Sequence, residues 1–206
     1  MTPRVKVCGL TNWEDVSAVA HLGADYLGFI LSESSPRYIT PQRAKEFGLR
    51  IKDEFPSIQT VSVITKMKRE QIESASRQAG CDWVQVHSDI GADEFNQLNI
   101  VNKIKVFRVK EALSLEQITS FEAPFYLFDT FKEGQLGGTG EAFNWAYIPK
   151  EIHSRAFMAG GISPETIPSL LHHIIPYAID VNSGVESSPG KKDLAKVGAV
   201  FDSILR

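Results

Sequence analysis

Two side chains with acid–base chemistry stand at the ends of apolar, strand-like runs in this chain of 206 residues. Cys8 ends the run Val5-Lys6-Val7-Cys8, and Asp129 ends the run Phe125-Tyr126-Leu127-Phe128-Asp129. A thiolate can accept a proton and a carboxylic acid can donate one, so the pair could act as base and acid in one reaction. The sequence therefore predicts a proton-transfer site, provided that the fold brings the two strand ends together.

Each of the two residues also has a structural interpretation. A free cysteine is most often a small buried hydrophobe, and an unperturbed thiol, with a pKa of about 8.5, is mostly protonated at neutral pH. Lys6 lies two residues earlier on the same strand face and deeper in the fold, so we do not expect it to help Cys8 ionise. Asp129 could cap the following loop or pair with Lys132, but a desolvated carboxylate without partners is costly. As an acid Asp129 must be protonated, which predicts a raised pKa.

Short apolar runs recur along the chain and alternate with helix-like segments, which predicts an α/β fold. The runs are typical of strands buried on both faces of a parallel sheet. The predicted strands are Val5–Cys8, Tyr26–Ile30, Thr60–Ile64, Trp83–His87, Ile104–Val109, Phe125–Asp129, Ala156–Ala159 and Ala178–Val181. Eight units in this length fit a single-domain (β/α)8 TIM barrel over residues 1–206, with a doubly wound open sheet as the alternative. In a barrel the carboxyl ends of the strands share one active site, so Cys8 and Asp129 would face the same ligand.

Capping residues mark the starts of several predicted helices. Asn12, Thr40 and Ser163 are each followed by a helix-like segment, and Pro41 and Pro164 stand in the first turns of the last two. Apolar residues at helical spacing on one face predict two further helices. The residues on these faces are Ile72, Ala75 and Ala79 in the first, and Leu194, Val197, Phe201 and Leu205 in the second.

Two glycine-containing loops follow the last two predicted strands. Gly160 and Gly161 come after strand seven, and Asn182-Ser183-Gly184 comes after strand eight. Glycine lets backbone N–H groups approach an anion, a helix N-terminus adds a favourable dipole, and barrels often bind phosphate at this place. Tight turns alone would explain either loop, but corresponding positions in consecutive units favour a phosphate site. A third glycine-rich loop, residues 134–140, follows Asp129.

Other polar residues could contact a ligand. Arg37, in the loop after strand two, could bind a carboxylate through two parallel hydrogen bonds, or it could be a solvated surface arginine. His87 ends strand four and is either a ligand contact or a hydrogen-bonded structural histidine. His172 and His173 are adjacent on a helix and point in different directions, so we do not expect a metal site there. Cys81 is interpreted as a core or turn residue.

Composition excludes several classes of function. The net charge of −3 provides no basic surface for nucleic acid, and no run approaches the roughly 18 apolar residues needed to span a bilayer. The start, Met1-Thr2-Pro3-Arg4-Val5, lacks the apolar core of a signal peptide. The two cysteines belong to no CxxC or metal-ligand pattern. We expect a cytoplasmic protein with reduced thiols and without a metal, and a monomer in preference to a homodimer.

The motifs, in their order along the chain, resemble those of the phosphoribosylanthranilate isomerase family of tryptophan biosynthesis. The resemblance extends from the first predicted strand to the last helix, and three blocks are quite specific in combination. They are Val5-Lys6-Val7-Cys8-Gly9-Leu10-Thr11, Asp129-Thr130 with Gly137-Gly138-Thr139-Gly140, and Ser183-Gly184-Val185-Glu186.

The resemblance implies a cofactor-free Amadori rearrangement of the aminoaldose N-(5-phosphoribosyl)anthranilate to the aminoketose 1-(2-carboxyphenylamino)-1-deoxyribulose 5-phosphate. It makes Cys8 the general base, Asp129 the general acid and Arg37 the contact of the anthranilate carboxylate. An acid that opens the furanose ring to a Schiff base and a base that removes the proton from C2 suffice for this reaction. The expected partner is a phosphorylated small molecule. Its further contacts would be His87, Gly160, Gly161, Asn182, Ser183 and Gly184.

Three positions depart from the family pattern: Thr65 at the end of strand three, Ser88 after His87, and Asn182 in the strand-eight loop. Two alternatives within enzymes are a ribulose-phosphate epimerase, for which no metal-ligand set stands out, and an indoleglycerol-phosphate synthase, which would need a strand-end lysine and a longer N-terminal extension. A third alternative is an inactive barrel that only binds a phosphorylated ligand or a partner protein; retention of both Cys8 and Asp129 disfavours it. Arg37 disfavours use of the related aminoimidazole carboxamide ribonucleotide of histidine synthesis.

Overall fold

A computed structural model describes residues 2–130 and 145–204. Within these ranges, eight parallel strands close into a barrel in sequence order, and β8 pairs with β1. The closure confirms the predicted TIM barrel and rules out the open sheet. The strands are β1 (Arg4–Val7), β2 (Tyr26–Ile30), β3 (Gln59–Thr65), β4 (Trp83–His87), β5 (Lys103–Val109), β6 (Phe125–Thr130), β7 (Ala156–Met158) and β8 (Ala178–Val181).

The described segments between the strands are mostly helical. The α-helices are α1 (Trp13–His21), α2 (Pro41–Glu54), α3 (Arg69–Ala79), α4 (Ala92–Asn96), α5 (Leu115–Thr119), α6 (Ile167–His173) and α7 (Leu194–Ile204). Short 3₁₀ turns cover Trp145–Tyr147, Lys150–Arg155 and Ser183–Val185, and a small hairpin joins β9 (Glu186–Ser188) to β10 (Lys191–Lys192). None of the helices in these ranges is long and apolar enough to cross a membrane.

Two of the three predicted helix starts are confirmed. The Asn12 side chain accepts a hydrogen bond from the amide of Asp15 at 2.8 Å, and Thr40 Oγ1 accepts one from the amide of Arg43 at 3.2 Å. The third prediction is wrong, because α6 begins at Ile167 and Ser163 does not cap it. Pro168 lacks the N–H that a helix starting at Ser163 would need at that position, so the chain makes a separate turn first.

The core has two layers, one inside the barrel and one between the barrel and its helices. Alternate strand residues face inward, and the interior layer comprises Cys8, Tyr26, Ile30, Val61, Val63, Ile104, Val106, Leu127, Phe157, Ala159 and Ala178. The predicted α3 face is buried as expected. In α7, Val197 is buried, whereas Leu194 is 43% exposed at the start of the helix, and Leu205 lies outside the described residues.

Candidate active site

The carboxyl ends of β1 and β6 carry the predicted acid–base residues. The Cys8 amide donates to the carbonyl of Val181 at 2.9 Å, which continues the pairing of β1 with β8 and turns the thiol toward the barrel interior. Asp129 lies two residues after the interior residue Leu127 and is partly buried. Strand alternation therefore places both side chains on the inward face at the same rim of the barrel.

Gly28 on β2 makes room for the thiol. A Cβ at this position would lie 2.9 Å from Cys8 Sγ and 3.0 Å from Cys8 Cα. Any side chain at Gly28 would displace the thiol, because such distances are too short for carbon against sulfur or carbon. The bare backbone of β2 thus forms one wall of the pocket around Cys8.

Buried charges surround Cys8. Burial raises the pKa of its thiol, the positive charges of Lys6 and Lys192 lower it, and Asp180 raises it. The net direction is upward, so the thiol is protonated at neutral pH. The expectation that Lys6 would not help Cys8 ionise is wrong, because the long side chain carries its ammonium along the barrel interior to hydrogen-bonding reach of the thiol.

Lys6 is held there by Asp180. Lys6 Nζ lies 2.8 Å from Asp180 Oδ2, and the two side chains are 0% and 6% exposed. Burial lowers the pKa of Lys6, but the carboxylate outweighs it and the pKa is raised, whereas burial raises the pKa of Asp180 against the charges of Lys6 and Lys192. We take the pair as charged, since two cations act on Asp180. Asp180 Oδ1 is buried without a hydrogen-bond partner in the described part of the chain.

Arg37 is not a solvated surface residue. Its Nε lies 2.8 Å from Glu186 Oε1 and its Nη2 lies 2.6 Å from Glu186 Oε2, in a bidentate pair. Glu186 Oε1 also accepts from Lys192 Nζ at 2.9 Å, and Lys192 Nζ reaches Asn182 Oδ1 at 3.1 Å. Gly9 lies against this network, because a Cβ there would be 2.5 Å from Asn182 Oδ1 and 2.7 Å from Arg37 Cδ. Among the described residues Arg37 Nη1 makes no hydrogen bond, so it is the corner that a ligand could use.

The loops after β7 and β8 touch each other. Gly160 and Gly161 have φ angles of 84° and 66°, which favour glycine, and a Cβ on Gly184 would overlap the carbonyl oxygen of Ile162. The amides of Gly161, Ser183 and Gly184 donate to no acceptor in the described ranges. Closely packed loops with unused N–H groups are suited to an anion. The helix dipole that we expected to assist them is not there, since α6 begins only at Ile167.

His87 and Arg108 form a pair at the ends of β4 and β5. Arg108 Nε donates to His87 Nε2 at 2.9 Å. Burial, together with the charge of Arg108, lowers the pKa of His87 to about 4. The ring is therefore neutral at pH 7 and carries its proton on Nδ1. The register of β5 and β6 places Arg108 directly beside Asp129.

Four residues of the site were not predicted to take part in it: Arg108, Asp180, Glu186 and Lys192. Alternation along the strands could have found the first two, because Arg108 follows Val106 and Asp180 follows Ala178 at the spacing of one face. No comparable signal marks Glu186 and Lys192, which depend on how the hairpin folds over the rim. Lys132 and the glycine-rich loop at residues 134–140 lie outside the described residues.

The remaining candidates are structural. Cys81 is half-buried against the core, as expected, and burial raises its pKa to about 12. His173 Nδ1 bonds the carbonyl of Ser169 at 2.8 Å, and its ring lies edge-on to that of His172. Within residues 2–130 and 145–204, no group of three or more His, Cys, Asp or Glu side chains is arranged to hold a metal ion.

A closed (β/α)8 barrel with acid–base side chains and glycine loops at the carboxyl ends of its strands has the architecture of a barrel enzyme. The family model for N-(5'-phosphoribosyl)anthranilate isomerase matches residues 5–203. The chain belongs to this family of isomerases of tryptophan biosynthesis, which confirms the resemblance carried by its motifs.

Individual relatives agree with this assignment. The N-(5'-phosphoribosyl)anthranilate isomerase of Geotalea uraniireducens is 37% identical over 196 residues, which cover 94% of each chain. The crystal structure of phosphoribosyl anthranilate isomerase from Thermotoga maritima has a TM-score of 0.85 at 30% identity over 98% of both chains. A phosphoribosyl anthranilate isomerase in complex with reduced 1-(o-carboxyphenylamino)-1-deoxyribulose 5-phosphate has a TM-score of 0.81 at 29% identity, again over 98% of both chains.

Proposed function

We propose that this chain catalyses the Amadori rearrangement of N-(5'-phosphoribosyl)anthranilate to 1-(2-carboxyphenylamino)-1-deoxyribulose 5-phosphate, with Cys8 as general base and Asp129 as general acid. The observation that carries the proposal is the placement of Cys8 and Asp129 on the inward face of one barrel rim, at the ends of β1 and β6. Membership of the isomerase family over residues 5–203 supports the choice of substrate.

Substrate binding uses the two ends of the molecule. The phosphate lies against Gly160 and Gly161 and against Asn182-Ser183-Gly184, where unused amides and the nearby Lys192 offer donors and positive charge. The anthranilate carboxylate meets Nη1 of Arg37, which Glu186 holds in place through the other side of the guanidinium. His87 presents Nδ1–H to the ligand, since its Nε2 accepts from Arg108.

Asp129 acts first. In its protonated form it donates a proton to the furanose ring oxygen, and the C1–O bond breaks as the anthranilate nitrogen forms the C=N bond of a protonated Schiff base. The positive charge that develops at nitrogen makes the proton on the neighbouring C2 acidic. A positioned acid of this kind contributes about 10²–10⁴-fold to the rate.

Cys8 then removes the C2 proton. Burial raises the pKa of the thiol, so the thiolate needs added positive charge when the reaction occurs. Lys6 and Lys192 supply a fixed part of this positive charge, and the protonated Schiff base supplies the rest when the C2 proton is removed. The resulting enolamine tautomerises to the ketone. Protons move within one substrate, so the chemistry calls for no cofactor.

We further propose that residues 1–206 act as one cytoplasmic domain and as a monomer. The described barrel closes on itself through β8 and β1 without a second chain. Light scattering coupled to size-exclusion chromatography would settle the oligomeric state: a mass near 22.9 kDa is expected, and a mass of twice that value would contradict the monomer.

The test is turnover of freshly generated N-(5'-phosphoribosyl)anthranilate, followed by the loss of its anthranilate-type fluorescence. Cys8→Ala and Asp129→Asn should each reduce kcat by at least about 10²-fold and still bind product. Cys81→Ala and Asp202→Asn are matched controls, one in a half-buried cysteine away from the rim and one on the exposed face of α7, and should keep wild-type activity. Binding without turnover by the wild type, or full activity in either rim variant, would overturn the proposal.

A further inference from the structure

Arg108 has the position of a ligand contact that the reaction as proposed leaves unused. It follows the interior residues Ile104 and Val106 at the spacing of one strand face, so it points into the mouth of the barrel. It is exposed, in contrast to Lys103 and Lys105 on the outer face of β5, which are buried. The Arg108 side chain is therefore accessible to a ligand and is not packed in the core.

His87 fixes the orientation of the guanidinium. The bond from Arg108 Nε to His87 Nε2 at 2.9 Å occupies one of the five N–H donors, and the described residues take none of the other four. A guanidinium held at Nε presents its Nη groups in a planar fork, the geometry that pairs with a carboxylate. Because the imidazole is neutral at pH 7, it neither repels the guanidinium nor cancels its positive charge.

The closed strand order locates Arg108 relative to the substrate. In an eight-stranded barrel ordered β1 to β8, the ends of β3 and β4 lie across the mouth from those of β7 and β8. A ligand with its phosphate over β7 and β8 therefore extends its other end toward β3 and β4. Cys8 on β1 and Asp129 on β6 flank its middle, and Arg37 after β2 and Arg108 on β5 flank its far end.

Arg37 alone has too few free N–H donors to bind a carboxylate at the far end of the ligand. Its Nε and Nη2 are committed to Glu186, which leaves it a single corner and a largely neutralised charge. A carboxylate that leaves water for this end of the site loses hydration at both oxygens and needs more than one donor. The arginine across the mouth has the donors and the charge that Arg37 lacks.

We propose that Arg108 binds the carboxylate of the anthranilate end of the substrate and is a specificity-determining residue for aminoaldoses that carry an aromatic carboxylate. The inference rests on the proposed function, because the phosphate fixes the direction of the ligand. It predicts that Arg108 distinguishes the carboxylated ligand from its phenyl counterpart. A residue that merely supported His87 would affect both ligands alike.

Binding of two stable ligands tests this without turnover. Isothermal titration calorimetry would compare reduced 1-(o-carboxyphenylamino)-1-deoxyribulose 5-phosphate with the phenylamino compound that lacks the carboxylate. Arg108→Met should weaken the carboxylated ligand by about 10- to 100-fold, the range for losing charge-assisted hydrogen bonds, and change the phenylamino ligand by less than about threefold. Arg108→Lys should fall between Arg108→Met and wild type for the carboxylated ligand. Arg77→Met, on the exposed face of α3, is the matched control and should change neither.

Equal losses for both ligands, or no loss for either, in folded Arg108→Met and Arg108→Lys would overturn the role of Arg108. If the wild type binds the phenylamino ligand as tightly as the carboxylated one, the carboxylate has no partner and the inference fails while the phosphate site stands. If the wild type binds neither ligand, the proposed function fails and the inference falls with it. Turnover by the wild type with equal losses in Arg108→Met would leave the function intact and remove only the inference.

Discussion

The Lys6–Asp180 pair provides the sharpest test of how charge is held inside this barrel. Lys6→Met keeps most of the side-chain volume and removes the ammonium 2.8 Å from Asp180 Oδ2. The carboxylate remains almost fully buried, and its second oxygen has no hydrogen-bond partner in the described ranges. The variant therefore leaves a buried negative charge with one cation fewer.

The size of the loss follows from the geometry. Removing one partner of a buried ion pair costs about 3–5 kcal/mol. Lys192 also acts on Asp180 and offsets part of the loss, so we expect the lower end of that range. For a chain of this length, about 3 kcal/mol corresponds to a fall in Tm of roughly 6–12 °C.

The loss should also depend on pH. Without Lys6, burial raises the pKa of Asp180 further, and a group whose pKa is higher in the folded state favours folding at low pH and disfavours it as pH rises. The deficit of Lys6→Met should therefore be smaller at pH 5 than at pH 8. Urea unfolding at the two pH values would measure it. Arg43→Met, which removes an exposed pair with Glu46, is the control and should lose less than about 1 kcal/mol at both.

The double variant Lys6→Met/Asp180→Leu completes this test, because replacing both charges by apolar groups removes the unpaired carboxylate. It should recover most of the stability that Lys6→Met loses. A Lys6→Met variant as stable as wild type at both pH values would refute the reasoning. So would a double variant that is no more stable than the single one.

Three further predictions concern the thiols and their surroundings. In Asp129→Asn, Cys8 is the titrating catalytic group that remains, and burial raises its pKa, so the residual kcat/KM should still be rising at pH 9; a residual profile that is flat from about pH 5 to 9 would contradict Cys8 as the base. Gly28→Ala, whose Cβ would lie 2.9 Å from Cys8 Sγ, should destabilise the fold by about 1–3 kcal/mol and lower kcat; Gly48→Ala, inside α2 with nothing within 4 Å, should keep activity and raise Tm. Cys8 and Cys81 should both react slowly with a disulfide reagent in the native protein at pH 8 and quickly in denaturant, because burial raises both pKa values; rapid native labelling of either would contradict its burial.

Much of the fold was predictable because each strand is an apolar run with a clear start and end. The bounds of β2, β4 and β8 match the prediction, and the other strands differ by one residue at one or both ends. A strand that is buried on both faces is a continuous apolar run, so it can be recognised from its own sequence without knowing which strands lie beside it. The start of α6 was not predictable from Ser163 and Pro164 alone, because Pro168, four residues beyond the second of them, prevents the helix from running through.

The site residues that could be predicted are those that a single feature marks, namely a position at the carboxyl end of an apolar strand. Cys8 and Asp129 needed no more than their places at the ends of apolar runs. The contacts of Arg37 with Glu186 and of Arg108 with His87 join residues 149 and 21 positions apart. These contacts depend on the stagger between strands and on a hairpin that folds over the rim. The local pattern of apolar and polar residues predicts neither feature. For Lys6, the error came from reasoning with the backbone position and neglecting the length of the side chain.

We infer that the charged side chains beside Cys8 serve catalysis and substrate binding; they do not stabilise the fold. Lys6, Arg37 and Lys192 provide three positive charges, and Asp180 and Glu186 provide two negative charges, in a largely buried region. Apolar residues of similar volume would commonly stabilise such a region by about 1–4 kcal/mol. The excess of one positive charge suits a phosphorylated, carboxylated substrate and favours the thiolate as it forms. The double variant Lys6→Met/Asp180→Leu keeps the net charge but removes the cation that acts most strongly on Cys8. We therefore expect Lys6→Met to lower kcat, and we expect the double variant to regain stability without regaining kcat. Stability depends on pairing the buried carboxylate, whereas the Cys8 thiolate depends on the Lys6 ammonium beside it.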